Sequence, residues 1–137
     1  MKIVILLLPL LAGWLGASEV PPRTVEYARV DGVSLKLDLH SPDDLLTTKP
    51  LIVWVHGGAW RAGNRESLPI KKLVGMGFVI ASVDCRLTTV APYPANVHDI
   101  KAAIRFLRAH AKGFRINGKQ ITIEGSPCRL FGCKDPR

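Results

Sequence analysis

Residues 51–60 read Leu-Ile-Val-Trp-Val-His-Gly-Gly-Ala-Trp. The first five residues are all apolar, and a histidine and two glycines follow them directly. A strand with one solvated face alternates apolar and polar residues, whereas a continuous apolar run is typical of a parallel strand covered on both faces. Residues 78–83 repeat this pattern and are interrupted only by Ser82. Residues 121–124 predict a third, shorter strand. The decisive stretch therefore predicts a parallel sheet.

Two helices are predicted between these strands, a short one over residues 68–75 and a longer one over residues 95–111. The longer segment has apolar residues at steps of three and four, which is one stripe of a helix. These residues are Val97, Ile100, Ile104, Leu107 and Ala111. Four cations fall on the opposite side of that helix: Lys101, Arg105, Arg108 and Lys112.

A β-hairpin precedes the parallel strands. Residues 33–40 alternate apolar and polar side chains, residues 24–30 are strand-like, and Asp31-Gly32 separates the two segments. Asp-Gly between such segments is a strong hairpin signal because the turn needs positive φ at both positions. The order of elements predicts an α/β fold, a mostly parallel, doubly wound sheet with an antiparallel N-terminal hairpin.

Composition and charge narrow the classes of function. The chain has 137 residues, 19 Lys and Arg against 11 Asp and Glu, and a formal net charge of +8. The cations are scattered and no aromatic residues are interleaved with them, so we expect a solvated basic surface and no nucleic-acid partner. Three cysteines are too few for a disulfide scaffold. We expect no metal site, and a Cys128–Cys133 pairing stays open.

The N-terminus predicts a signal peptide over residues 1–18. Met1-Lys2 is a short basic start, residues 3–15 are almost wholly apolar, and Gly16-Ala17-Ser18 supplies small residues for cleavage before Glu19. The apolar run is too short for a comfortable membrane span. We therefore expect a secreted or periplasmic protein with no other membrane segment, and a retained N-terminal anchor is the alternative.

The residues after the first apolar strand are candidates for chemistry. Function in an open parallel sheet lies beyond the carboxyl ends of the strands. Gly57 and Gly58 let the backbone turn sharply there and present N–H groups to a cleft. Such donors stabilise a developing oxyanion without any side chain. The plain alternative is a glycine turn without a catalytic role.

His56-Gly57-Gly58-Ala59-Trp60 resembles the HGG(G/A)W oxyanion motif of α/β-hydrolase esterases, in the hormone-sensitive-lipase-like and bacterial feruloyl- or acetyl-esterase-like branch. Residues 83–87, Val-Asp-Cys-Arg-Leu, are similar to the V-D-Y-R-L strand end of that family, with Cys85 in place of tyrosine. Tyr93-Pro94-Ala95 followed by Asp99 resembles the start of its next helix. The resemblance extends over residues 24–126.

The resemblance implies serine-type hydrolysis of a carboxylic ester, either a small ester or an acylated carbohydrate, without a cofactor. The oxyanion hole would be formed by Gly57, Gly58 and Ala59, and a further N–H would follow the nucleophile. His56 and Trp60 would have structural roles near the site.

The sequence departs from the family at the nucleophile. The family has G-x-S-x-G there, whereas this chain has Gly-Ser-Pro-Cys-Arg over residues 125–129, so that the nucleophile position is Pro127 and the second glycine is Arg129. No histidine lies downstream, because all four come before residue 125: His40, His56, His98 and His110. We therefore expect no catalytic residue of the triad in this chain.

Three expectations follow from that departure. Residues 19–126 would be a partial α/β-hydrolase domain, and residues 127–137 an aberrant tail outside the family pattern. A reading-frame shift or truncation of a longer esterase gene would explain this, in competition with a short natural protein. The chain would be inactive alone, and the alternative function is a non-catalytic binding or interaction module.

Overall fold

The computed structural model describes residues 20–43 and 46–125. This part of the chain contains five strands, one α-helix and one 3-10 helix, joined by turns and loops. The expectations for residues 1–18 and 127–137 lie outside this part. The strands are β1 (Arg23–Val30), β2 (Val33–His40), β3 (Lys49–Val55), β4 (Val79–Val83) and β5 (Ile116–Gly125). The 3-10 helix spans Lys71–Met76, and the helix α1 spans Ala95–Ala109.

The strands form one mixed sheet in the order β1-β2-β4-β3-β5. Strand β3 is parallel to both β4 and β5, whereas β2 is antiparallel to β1 and β4. The turn between β1 and β2 has positive φ at Asp31 (49°) and Gly32 (80°), as the hairpin signal requires. The predicted parallel sheet with an antiparallel entry hairpin is confirmed.

The two crossovers cover opposite faces of the sheet. The α1 face carries the larger core, in which Leu37, Val53 and Ala81 of three neighbouring strands pack with Ala103 and Leu107 of α1. On the other face, a smaller core packs beneath the 3-10 helix and the residues that precede it: Ile52, Trp54 and Ile80. The continuous apolar runs of β3 and β4 are thus explained, because both strands are buried on both faces.

The predicted inward stripe of α1 is confirmed in part, because Leu107 is fully buried and both Ile104 and Ala111 pack against the larger core. The structure buries Asn96, Asp99, Ala103 and Leu107. Of the predicted residues other than Leu107, all are only partly buried: Val97, Ile100, Ile104 and Ala111. The helix is rotated because Asp99 points inward to an arginine at the end of β4, described below. The small side chain of Ala103 lets the helix pack closely on the sheet.

Strand β5 begins five residues earlier than predicted. Ile116 pairs with Lys49, and Ile121 pairs with Leu51. The register therefore shifts within β5, because residues 117–120 have no regular partners on β3. Within these residues, the Asn117 side chain accepts a hydrogen bond from the backbone N–H of Lys119 at 3.1 Å. The short helix predicted over residues 68–75 is present as a 3-10 helix with shifted bounds, Lys71–Met76.

In the described part of the chain, no helix combines the length and the hydropathy that a membrane crossing requires. Over the same residues, no cluster of three or more His, Cys, Asp or Glu side chains could hold a metal ion.

Candidate functional site

The candidate site lies where the parallel strands end. Val55 of β3 pairs with Val83 of β4 and with Gly125 of β5, so the three strands end at one level of the sheet. The loop of residues 56–65 leaves β3 at this edge, and residues 84–86 leave β4 beside it. Both segments singled out by sequence are therefore brought together.

His56 is buried at the base of the loop. Its Nδ1–H donates a hydrogen bond of 2.8 Å to the carbonyl oxygen of Gly57, so that the ring is held by its own loop. Gly63 lies directly against the imidazole: a Cβ atom there would come within 2.4 Å of Nδ1 and 2.5 Å of the Gly57 oxygen. The loop doubles back tightly over His56, which only a glycine at residue 63 allows.

Three consecutive residues of the loop have left-handed backbone conformations. The φ angles are 109° at Gly58, 52° at Ala59 and 63° at Trp60. For Ala59 and Trp60 this conformation costs about 1–2 kcal/mol each. Strain of this kind persists only where surrounding contacts impose it, and it clusters at functional sites.

Contacts on both sides of these residues impose that conformation. The backbone N–H groups of Arg61 and Ala62 both donate to the Gly58 carbonyl, at 3.0 and 3.2 Å. A Cβ atom on Gly58 would lie 2.2 Å from the Ala62 carbonyl oxygen, so this position excludes other residues. The Trp60 carbonyl accepts a hydrogen bond of 2.8 Å from the Thr88 backbone N–H, which ties the loop to the segment after β4.

Arg65 anchors the far end of the loop. Its backbone N–H donates to Asp84 Oδ1 at 2.7 Å, and its guanidinium forms an ion pair with the same carboxylate. Its Nε lies 3.0 Å from Asp38 Oδ1 on β2. Ser82, fully buried, donates to the Arg65 carbonyl at 2.6 Å. The hydrogen bond to Asp84 is the largest of the effects that raise the pKa of Arg65.

Arg86 makes the second buried contact at this edge, with Asp99 in the first turns of α1. Asp99, only 2% exposed, accepts from the Arg86 backbone N–H at 2.9 Å. The guanidinium donates to both carboxylate oxygens, through Nε at 3.0 Å and Nη2 at 2.8 Å. The hydrogen bond to Asp99 raises the pKa of Arg86. This bidentate pair fixes the end of β4 to the helix.

Sequence reasoning missed the positioning contacts made by Arg65 and Ser82. A signal for Asp99 was present, because it is the only acidic residue in a helix rich in cations. An acid on an otherwise basic helix indicates a specific partner, and Arg86 lies at the neighbouring strand end. Arg65 left no comparable signal, since it lies in an irregular loop without periodicity.

Cys85 does not supply a reactive thiol. The side chain is buried, and burial raises its pKa to about 12. Burial also raises the pKa of the neighbouring Tyr27, whose hydroxyl donates to the Asp84 carbonyl at 2.6 Å. A thiolate is the nucleophilic form of cysteine, so this residue is inert at neutral pH.

Of the four histidines, only His56 lies in the loop. The other three are on β2, in the first turn of α1 and just after its end: His40, His98 and His110. Pro127 and Arg129, on which the predicted loss of the nucleophile rests, lie outside the described residues. The predicted oxyanion residues Gly57, Gly58 and Ala59, in contrast, all lie in the described loop of residues 56–65.

Comparison with known proteins shows the family to which the chain belongs. The BD-FAE family model matches residues 37–128. The carboxylesterase NlhH of Mycobacterium tuberculosis is 30% identical over 111 residues, which cover 78% of this chain and 34% of that protein. Esterase LipC of the same species is 28% identical, with 82% and 32% covered. The chain therefore spans about a third of the length of these relatives.

Solved esterase structures share the fold. The native form of esterase 2 from Thermogutta terrifontis superimposes with a TM-score of 0.71 at 27% identity, covering 79% of this chain and 41% of that one. The same enzyme phosphonylated by cyclosarin gives a TM-score of 0.70 at 28% identity, with 76% and 42% covered. The likeness extends over most of the chain and less than half of the esterase.

Proposed function

Because the chain belongs to the BD-FAE family of α/β-hydrolase esterases, we propose that it carries the oxyanion-binding part of a carboxylic-ester hydrolase site. The observation that supports this most is the constrained loop after β3. Gly58, Ala59 and Trp60 hold left-handed conformations at the carboxyl end of a parallel strand, where ligands bind in such sheets.

In the proposed role, the backbone N–H groups of Gly58 and Ala59 donate to the carbonyl oxygen of the ester. Attack on the carbonyl carbon moves negative charge onto that oxygen, and donors fixed in advance stabilise the charge without reorganising. Gly57 allows the turn that precedes them, and His56 and Trp60 hold the loop. Each such donor contributes roughly 10²–10³ in kcat.

The proposal does not extend to turnover by this chain alone. Pro127 stands at the family's nucleophile position, and its side chain has no nucleophilic atom. Cys85 is buried and protonated at neutral pH. The family's two-step ester hydrolysis requires a nucleophile and a base, so we expect binding of the ester carbonyl without its cleavage. From the resemblance to the family, we propose that the substrate is a small ester or an acylated carbohydrate.

The first test uses an active-site label. Esterase 2 of Thermogutta terrifontis is phosphorylated by paraoxon, which makes it the positive control. The full 137-residue chain is incubated with paraoxon and with p-nitrophenyl acetate. We expect neither a mass increase nor turnover. A paraoxon adduct that maps to Ser126 or Cys128, together with turnover, would show a working nucleophile and overturn the inactivity.

The second test asks whether the loop is competent. Residues 20–125 are joined to the segment of the Thermogutta esterase that lies beyond its likeness to this chain. The hybrid regains a nucleophile and a base from the esterase. Turnover of p-nitrophenyl acetate by the hybrid is expected. A folded hybrid that reacts with paraoxon but turns over no ester would contradict the oxyanion role of the loop.

Pro127 and Arg129 favour a second candidate, a non-catalytic binding module built on the same loop. In this candidate the loop itself no longer fits an ester carbonyl. The hybrid, which replaces Pro127 and Arg129, then stays inactive even when folded, so the same experiment separates the two.

We also propose that the chain is exported and cleaved before Glu19. Intact-mass measurement of exported protein tests this, and a mass that still includes Met1 would contradict it.

A further inference from the structure

Asn117-Gly118 is the only asparagine–glycine pair of the chain, and it lies where β5 has no regular partners on β3. Ile116 pairs with the first residue of β3, and pairing resumes only at Ile121. The pair therefore lies at the end of the sheet opposite the loop after β3. Its position is held by the described chain, since the Ile116 N–H donates to the Ala111 carbonyl at 3.0 Å.

An asparagine that precedes a glycine reacts readily with its own backbone. The backbone nitrogen of the following residue attacks the side-chain carbonyl carbon and forms a C–N bond. The side-chain nitrogen leaves as ammonia, which takes up the proton that the backbone nitrogen loses. Water then opens the five-membered imide at one of its two carbonyl carbons, and the product is aspartate or isoaspartate. A side chain on the following residue hinders the attack, and glycine has none.

The Asn117 side chain is held against the backbone that follows it. Its Oδ1 accepts a hydrogen bond from the Lys119 N–H at 3.1 Å, and its Nδ2 donates to Gln120 Oε1 at 3.0 Å. A hydrogen bond from the N–H two residues on closes an Asx turn. The ring closed in this way contains the backbone nitrogen of Gly118, which is the nitrogen that would attack, and Gly118 has no register partner on β3.

Asn64 forms the same turn and provides a comparison within the chain. Its Oδ1 accepts from the Glu66 N–H at 3.1 Å, and Asn64 is exposed, whereas Asn117 is only partly exposed. The nitrogen that would attack in this turn belongs to Arg65, and its N–H donates to Asp84 Oδ1 at 2.7 Å. Turn geometry and exposure therefore do not favour Asn117 over Asn64, but the attacking nitrogen does.

The remaining asparagine is protected by the helix. Asn96 is 1% exposed in α1 and precedes the β-branched Val97. Burial limits access of water, and the following side chain hinders the backbone nitrogen. Of the three asparagines, only Asn117 thus combines a following glycine with an unpaired segment of backbone.

We propose that the folded chain converts Asn117 to aspartate and isoaspartate at this site, a modification that needs only water. The product carboxylate can still accept the hydrogen bond from the Lys119 N–H. Arg115 and Lys119, both exposed, add positive charge within two residues of it, and nearby cations stabilise the charged form of a carboxylate. The inference is independent of the ester-hydrolase proposal.

The position of the pair in the sheet explains why the fold would tolerate both products. Isoaspartate lengthens the backbone by one atom, which in a paired segment would disturb the register of the residues that follow. Residues 117–120 have no regular partners, so the added atom is taken up before pairing resumes between Ile121 and Leu51. Each conversion lowers the formal net charge of +8 by one.

The test follows the folded full chain in mildly alkaline buffer at physiological temperature, by mass spectrometry of the peptide that contains Asn117. We expect a gain of one mass unit there, in two chromatographic forms that correspond to the two products. Asn64 and Asn96 should react at least tenfold more slowly. An unreactive Asn117 would overturn the site, and equal rates at Asn117 and Asn64 would contradict the role of the attacking nitrogen.

A synthetic peptide of residues 112–124 is the unstructured reference. We expect Asn117 in the folded chain to react at a rate within tenfold of the peptide. A larger suppression by the fold would show that the native turn protects the amide and would overturn the proposal. So would a rate that rises steeply with urea below the unfolding transition, because the reaction would then require global unfolding.

Gly118→Ala tests the attack directly. Gly118 does not have a positive φ, and a Cβ there would lie 3.4 Å from Ala111 Cβ, an ordinary contact. The variant should fold and react at least fivefold more slowly. Gly113→Ala is the matched control, because a Cβ there lies 3.6 Å from the nearest atom, the His110 carbonyl oxygen, and it should leave the rate at Asn117 within twofold of wild type.

Circular dichroism verifies that both glycine variants fold. Equal rates at Asn117 in wild type and in Gly118→Ala would exclude attack by the Gly118 nitrogen and overturn the proposal. Asn117→Asp reproduces one product and should leave the urea midpoint unchanged. A clear loss of stability in this variant would contradict the tolerance expected of the unpaired segment.

Discussion

The loop after β3 and the outer edge at β5 lie in the same sheet, yet they differ in how closely their surroundings define them. In the loop, any side chain at residue 58 or 63 would collide with its surroundings. A Cβ atom added to Gly58 or Gly63 would lie within 2.5 Å of a backbone or imidazole atom. At the edge, Ile123 is half exposed, and β5 pairs with a single described strand. The contacts of the described residues define the loop closely, whereas they define the edge strand only on one side.

The difference indicates where a change in sequence matters. A substitution in the loop region should act through contacts that already exist. A substitution of an exposed side chain at the edge should leave the free energy of unfolding almost unchanged. Five predictions break or sharpen this contrast.

The largest effect is expected from Asp99→Ala. The change leaves the Arg86 guanidinium beside a buried position without its bidentate partner, which typically costs about 3–5 kcal/mol in free energy of unfolding. Urea denaturation of the full chain measures it. The control is Asp31→Asn, because Asp31 lies 3.6 Å from the same guanidinium but is 88% exposed, and asparagine tolerates the positive φ that the turn requires at this residue. We expect little measurable loss there, and equal losses would contradict the weight given to burial.

The rate at which Cys85 is alkylated should be roughly 10³-fold lower in the folded chain than in the unfolded chain. Its pKa is raised from an ordinary 9.0 to about 12, so the thiolate fraction at pH 8 falls by roughly that factor relative to unfolded chain. Iodoacetamide labelling, quantified on the peptide that contains Cys85, measures this with and without urea. Equal rates in both conditions would show that the thiol is accessible.

The same shift has a defined sign for stability. The folded state holds the thiol proton more tightly than the unfolded state, so the contribution is present in full below pH 9. It is lost as the pH rises from 9 towards 12. Cys85→Val should remove this part of the alkaline dependence.

Gly58→Val should lower kcat of the hybrid with the Thermogutta esterase by roughly 10²–10³, the cost of losing an oxyanion donor. The added side chain would collide with the Ala62 carbonyl and displace the loop. Turnover of p-nitrophenyl acetate measures it, and paraoxon labelling verifies that the nucleophile is intact. Gly75→Ala is the matched control, because a Cβ there meets nothing within 4 Å. Unchanged turnover in Gly58→Val would remove the loop from the mechanism.

The same contrast explains what could be predicted from sequence. The continuous apolar run of β3 and the Asp31-Gly32 turn are local signals, and both were confirmed. The inward face of α1 was predicted only in part. Asp99 is buried by its pairing with Arg86, and the spacing of apolar residues carries no information about such a long-range ion pair. The Arg65 contacts depend on where an irregular loop returns to the sheet. Such positions are set by tertiary packing and not by local pattern.

The smallest effect comes from one conservative change made at both places, Ile→Val. Ile80 on β4 is fully buried beneath the 3-10 helix, and removing one methylene there should cost about 0.5–1.5 kcal/mol. Ile123 is half exposed, so Ile123→Val should stay within about 0.5 kcal/mol of wild type. Urea midpoints at constant m-value measure both. If Ile123→Val cost as much as Ile80→Val, the edge of β5 would already be covered in solution.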